Sequence, residues 1–259
     1  MGPRHRRGRR PLPHRHGVRP GPAGRCRARR PGRRAGRRRA EAADVAGLRP
    51  PAALLLDLDG TLVDSEPVHR ETYRRFFGAR GWEHDDALLA QFTGRRPDDV
   101  FAGTPGPWSG EDPTALLHEV ASHHPHDLLP EPVEGARELV DDACSRGIPC
   151  VLVTSADRRW ARTALEILGG AGRFAAMVTR EDVTDGKPAP DGYLLAIRTL
   201  GVRPEDCLVA EDTPAGVRAG RSAGAGTVVG VTTSFSADEL RAAGADLVLP
   251  DLHGLVTTR

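Results

Sequence analysis

Six short apolar runs punctuate the chain from residue 52 onward, separated by polar or helix-like stretches. The three longest are Ala52-Ala53-Leu54-Leu55-Leu56-Asp57, Pro149-Cys150-Val151-Leu152-Val153-Thr154 and Asp206-Cys207-Leu208-Val209-Ala210-Glu211. Shorter ones lie at 175–178, 227–231 and 246–249. None alternates apolar with polar, and continuous apolar runs of this length mark strands buried on both faces. Between them, residues 134–143, 159–168 and 190–200 have helical length and spacing, the last ending at Gly201. Strand–helix–strand repetition predicts an α/β protein with a Rossmann-like, doubly wound parallel sheet.

The interval from 68 to 129 breaks that rhythm. It holds no apolar strand run, and its patterns are helical, at 68–77, 87–92 and 115–122, around a Gly/Pro-rich break at 103–107. We expect a helical cap domain over 68–129, inserted into a core domain made of 51–67 and 130–259. Trp82 and Trp108 fit the apolar centre of such a cap, or else the entrance to a cleft.

Charge divides the chain differently. Of 37 basic residues, sixteen arginines fall within residues 1–40, which contain no acid; taking +16 from an overall +2 leaves the remaining 219 residues at −14. Residues 1–50 are rich in Arg, Pro, Gly and His with few large apolar side chains, so an Arg-rich disordered segment is expected there. A nucleic-acid arm is the competing reading, but residues 1–40 offer no aromatic ring to stack on bases. That stretch has no apolar core of a secretory signal, and no run of 18 apolar residues occurs anywhere, so no membrane partner is expected. Cys26, Cys144, Cys150 and Cys207 show no CxxC spacing; Cys150 and Cys207 lie in apolar runs, where buried free thiols are common, and a reduced, cytoplasmic location is the expectation.

The ends of the apolar runs carry the chemistry, because ligands of open parallel sheets bind beyond the carboxyl ends of the strands. The first run ends in Asp57-Leu58-Asp59-Gly60-Thr61, the second in Thr154-Ser155 and the third in Glu211-Asp212. Lys187, the only lysine in the chain, follows the 175–178 run by a short loop. Each piece has an ordinary explanation. An Asp-x-Asp-Gly is often a turn, and Thr154-Ser155 or Glu211-Asp212 could cap the helices that follow. Their joint placement at strand ends is the argument for a site. Clustered carboxylates repel one another unless a cation neutralises them, and an all-oxygen ligand set suits Mg²⁺. A phosphate held beside them needs donors and a compact positive charge, which an ammonium supplies better than a planar guanidinium.

The series D-L-D-G-T, V-T-S, G-K-P-x-P and E-D resembles the haloacid dehalogenase superfamily over more than 200 residues. The position of the insertion resembles its branch of β-phosphoglucomutases and small sugar-phosphate phosphatases. The stretches V-T-R-E-D-V-T-D-G-K-P-A-P-D-G-Y and E-D-T-P-A-G-V-R-A-G-R-S-A-G are similar to glycerol-3-phosphatases and 2-deoxyglucose-6-phosphatases. The resemblance implies Asp57 as nucleophile and Asp59 as general acid and then base, with a pKa near the working pH. It implies Asp57, Asp59 and Asp212 as Mg²⁺ ligands, with Glu211 either a further ligand or a supporting partner. Thr154, Ser155 and Lys187 would hold the phosphoryl group. In the cap, the resemblance matches His69 to a hinge histidine that helps position the acid, the alternative being a surface histidine, and Arg95 or Arg96 would contact the substrate's hydroxyls or else sit in solvent. The mutase branch places an arginine where this chain has Pro97, a departure that favours hydrolysis. A Mg²⁺-dependent phosphatase of small sugar or polyol phosphates is therefore expected, with a phosphomutase as the alternative. A monomer is expected, a dimer being the other possibility, and dehalogenation is disfavoured by Asp59 and the Glu211-Asp212 pair.

Overall fold

The computed structural model describes residues 49–93, 97–125 and 127–256. The Arg-rich segment, apart from its last two residues, and both Arg95 and Arg96 lie outside them. Six parallel strands build the main sheet: β1 (Ala53–Leu56), β4 (Cys150–Val153), β5 (Ala176–Val178), β6 (Cys207–Glu211), β7 (Thr227–Val231) and β8 (Leu247–Leu249), in the order β5-β4-β1-β6-β7-β8. The numbering leaves room for a two-stranded antiparallel pair, β2 (Val63–Asp64) with β3 (Glu131–Pro132). Each apolar run has become a strand, and β1, β4 and β6 are buried at every position.

Burial on both faces follows from helices on both faces. On one face Leu54, Leu56 and Leu152 pack with residues of α5 (Ala136–Ser145) and α6 (Arg158–Leu165). On the other, Ala53, Leu55 and Val209 pack with α7 (Asp191–Leu200), α8 (Pro214–Ser222) and α9 (Ala237–Ala243). Removing a Leu or Val side chain from water contributes about 1.5–3 kcal/mol, so the central strands hold the core through composition alone.

Between β2 and β3 the chain makes four helices: α1 (Glu66–Ala79), α2 (Asp86–Ala90), α3 (Pro97–Gly103) and α4 (Pro113–Ser122). They share an aromatic core of their own, centred on Phe76, Phe77, Phe92, Phe101 and Trp108. Trp108 is buried and its indole donates to the Thr104 carbonyl at 3.0 Å; Trp82 packs on Phe76 and Phe77. Trp108 thus belongs to the interior of the helical layer and half-buried Trp82 packs at its edge; neither lines the cleft. The helix α3, which the Gly/Pro-rich sequence around it conceals, begins at Pro97. The short β2–β3 ladder brings the two ends of the insertion together, pairing Val63 with Pro132 and Asp64 with Glu131.

Among the described residues no helix is long and apolar enough to cross a membrane. Cys144, Cys150 and Cys207 are free thiols, the last two buried.

Candidate active site

The carboxyl ends of β1, β4 and β6 open into a cleft of about 2070 Å³ between the sheet and the helical layer. Asp57 is the first residue after β1, and its amide donates to the Ala210 carbonyl on β6 at 3.1 Å. Gly60 then reverses the chain at φ +81°, left-handed backbone open to glycine. A Cβ at Gly60 would also lie 2.0 Å from Oδ2 of Asp212, so the turn presses directly on the acid at the end of β6.

Asp57, Glu211 and Asp212 are all buried, and one carboxylate oxygen from each lies within 4.8 Å of the others. Lys187 reaches in from the loop after β5, pairs with both Asp57 and Glu211, and donates to the Val153 carbonyl at 3.0 Å. Burial alone would depress its pKa, but the two carboxylates raise it, so the amine stays charged. One ammonium does not balance three carboxylates. Burial pushes Asp57 up to about 7 despite Lys187, with Glu211 adding to the rise. Burial, with Asp57 and Glu211, raises Asp212 well above the usual carboxylate range. The oxygen-only set, its spacing and the missing positive charge fit a divalent cation.

Glu211 has further partners: it accepts from the Tyr193 hydroxyl at 2.9 Å, the Thr213 hydroxyl at 3.1 Å and the Thr213 amide at 3.3 Å. It therefore supports Lys187 from behind. Helix α8 is capped by Thr213, which accepts from Gly216 at 3.0 Å, and not by either acid. Likewise Asp157 caps α6, accepting from the Trp160 amide at 2.8 Å. That leaves Thr154 and Ser155 lining the cleft, the Thr154 hydroxyl bound by the Ala156 amide at 3.0 Å. The capping explanations of both motifs are thereby removed.

Asp59 stands across the turn from Asp57. His69, in the first turns of α1, puts Nε2 3.2 Å from its Oδ1, and the Trp160 indole donates to the same oxygen at 2.9 Å. Burial raises the Asp59 pKa, but the bonds from His69, Ser65 and Trp160 outweigh it and hold the carboxyl below its ordinary range. This corrects the expectation of a pKa near neutrality: donors from the helical layer and the core favour the ionised form of Asp59 in the free site. Burial opposes charge on His69, yet the bond to Asp59 raises its pKa overall.

Sequence reasoning placed Asp57, Asp59, His69, Thr154, Ser155, Lys187, Glu211 and Asp212 in one region, and all line or border the cleft. Arg95 and Arg96 lie outside the described residues. Trp160 and Tyr193 were missed. Trp160 is 101 positions from Asp59, and no spacing rule links them; Tyr193 lies six residues after Lys187 but reads as an ordinary apolar helix position.

A family model for haloacid dehalogenase-like hydrolases matches residues 51–224. A validoxylamine A 7'-phosphate phosphatase of Streptomyces hygroscopicus subsp. limoneus is 38% identical over 200 residues, spanning 76% of this chain and 92% of that protein. Hexitol phosphatase A of Escherichia coli (strain K12) is 33% identical over 221 residues, spanning 79% and 93%. The crystal structure of a hydrolase from Pseudomonas syringae superposes with a TM-score of 0.67 at 26% identity, covering 79% of this chain and 95% of that one. With motifs, sheet order and strand-end acids in agreement, the chain belongs to the haloacid dehalogenase-like hydrolase family.

Proposed function

We propose that this hydrolase is a Mg²⁺-dependent phosphatase of small sugar or polyol phosphates, working through an aspartyl-phosphate. The observation that carries the reading is the junction of Asp57, Lys187 and Asp212, backed by Glu211, at the floor of a cleft whose wall bears Asp59. Similarity to a validoxylamine A 7'-phosphate phosphatase and a hexitol phosphatase supports the substrate class.

Asp57, Asp212 and the backbone carbonyl of Asp59 would hold the Mg²⁺, which when bound supplies positive charge beside the phosphoryl oxygens. The protein's own groups do the rest. Lys187 and Thr154 hold the phosphoryl group and the ammonium balances Asp57. An Asp57 carboxylate oxygen attacks phosphorus; the bond to the leaving oxygen breaks, and that oxygen takes a proton from the carboxyl of Asp59. Asp59, now ionised, then accepts a proton from water as its oxygen attacks phosphorus. The Asp57–phosphorus bond breaks, releasing phosphate and restoring the nucleophile. His69 bonds one oxygen of Asp59, leaving the other to carry the proton for the first step, a protonation that the approach of the anionic phosphate favours.

Phosphate release should be measured across about twenty sugar and polyol phosphates, with and without Mg²⁺, and with Asp57→Asn as control. Metal-dependent release from polyol or hexose phosphates, absent in the variant, is expected. A flat response, or activity on nucleotides alone, would remove the substrate assignment. Turnover that requires a sugar bisphosphate and yields little free phosphate would identify a mutase instead.

A further inference from the structure

Trp160 is the largest side chain that touches the reacting region from the core, and the mechanism above does not use it. It sits on the first turns of α6, its amide fixed by the Asp157 cap and its side chain only 8% exposed among core residues. Its indole N–H ends 2.9 Å from Oδ1 of Asp59. Around it close two histidines from the two ends of the helical layer. His69, just after β2, meets the indole edge-on at 5.4 Å between centroids; His124, after α4 and before β3, lies at 5.0 Å. The tryptophan is thus wedged between both arms of the insertion while hydrogen-bonding the acid.

An indole N–H can only donate. With any proton of Asp59 on Oδ2, Oδ1 only accepts, and His69 Nε2 and Trp160 Nε1 converge on it as donors. A carboxyl oxygen that carries the proton is a poor acceptor, so two donors on Oδ1 direct the transferable proton to Oδ2. Rotating the protonated carboxyl about its bond to Cβ would turn its O–H toward the two donors and cost their bonds.

Resting on the phosphatase reading, we propose that Trp160 is a positioning residue: its indole N–H, seated against His69 and His124, orients Asp59 so that Oδ2 delivers the proton to the leaving oxygen. The role is specific to esters whose leaving group needs that proton. A phenolate such as p-nitrophenolate departs without it, whereas a sugar or polyol alkoxide does not.

The test is Trp160→Phe, which keeps an aromatic ring and removes the donor, assayed on a polyol phosphate and on p-nitrophenyl phosphate. We expect kcat/KM for the polyol phosphate to fall about 10- to 100-fold, within the range general acid catalysis supplies. For p-nitrophenyl phosphate the fall should stay under about 3-fold, because the acid contributes little there. KM for the polyol phosphate should stay within about 2-fold, since an interaction confined to the transition state leaves substrate binding alone. Equal losses on both esters, or none on either, in a folded variant would overturn the proposal. Should Trp160→Phe fold poorly, 3-benzothienylalanine at position 160 keeps the shape and replaces only the N–H; the same two outcomes then decide. A wild-type protein inactive on both esters would overturn the phosphatase reading together with the proposal, whereas active wild type with an unaffected variant overturns the proposal alone.

Discussion

Lys187 shows how far a single side chain carries the site. Its ammonium touches Asp57, Glu211 and the Val153 carbonyl at once, in a position only 12% exposed. A guanidinium is broader and would have to displace one of these partners. We therefore expect Lys187→Arg to lower kcat by roughly 10²–10³-fold, as loss of an oxyanion donor does, in a phosphate-release assay. Behind it, Tyr193→Phe removes the hydroxyl that Glu211 accepts from. A hydrogen bond to a buried charge contributes about 1.5–3 kcal/mol, which thermal or urea unfolding of the variant should register. The lysine was legible because it stands alone in an arginine-rich chain. Tyr193 was not, because its hydroxyl finds Glu211 only after α7 has docked on the sheet, and nothing local distinguishes it from an apolar helix residue.

The elements follow from apolar patterning where burial is two-sided. The 227–231 run became β7 residue for residue, and the other strands differ from their runs by a residue or two at the ends. The pieces that escaped are those whose partners are distant or whose local signal is weak. β2 and β3 are two residues each and exist because Val63 meets Pro132 across the insertion; α3 hides between a proline and a Gly/Pro-rich break. Glycines of α8 illustrate a conflict between local and tertiary preference. Alanine is the better helix former by about 1 kcal/mol. At Gly216, however, a Cβ would lie 1.8 Å from a Glu211 carboxylate oxygen. Gly216→Ala should therefore destabilise, by about the 1–3 kcal/mol typical of overpacking, with a lowered Tm and weakened activity as the readout.

At the scale of the molecule, three buried acids and one amine form a site that is electrostatically incomplete by itself. Mg²⁺ should raise the Tm of the wild-type protein, by an amount equivalent to about 2.7 kcal/mol at a hundred times its Kd. Asp212→Asn keeps the shape and an acceptor for Thr61, whose hydroxyl lies 3.5 Å away, while relieving the repulsion. In metal-free buffer at pH 8 the variant should melt at or above the wild-type temperature, yet gain nothing from Mg²⁺. Paired melting curves with and without the ion check both halves, and a variant still stabilised by Mg²⁺ would remove Asp212 from the ligand set.

An arginine-rich chain with a single lysine has a chemical consequence as well. Apart from its α-amino group, the protein presents just one primary amine to acylating or aldehyde reagents, and that amine lies at the floor of the cleft. Any modification that depends on lysine, whether a laboratory label or a cellular tag, has one internal address, and reaching it should abolish phosphate release. Inorganic phosphate should shield that address, making the extent of labelling a direct count of empty sites.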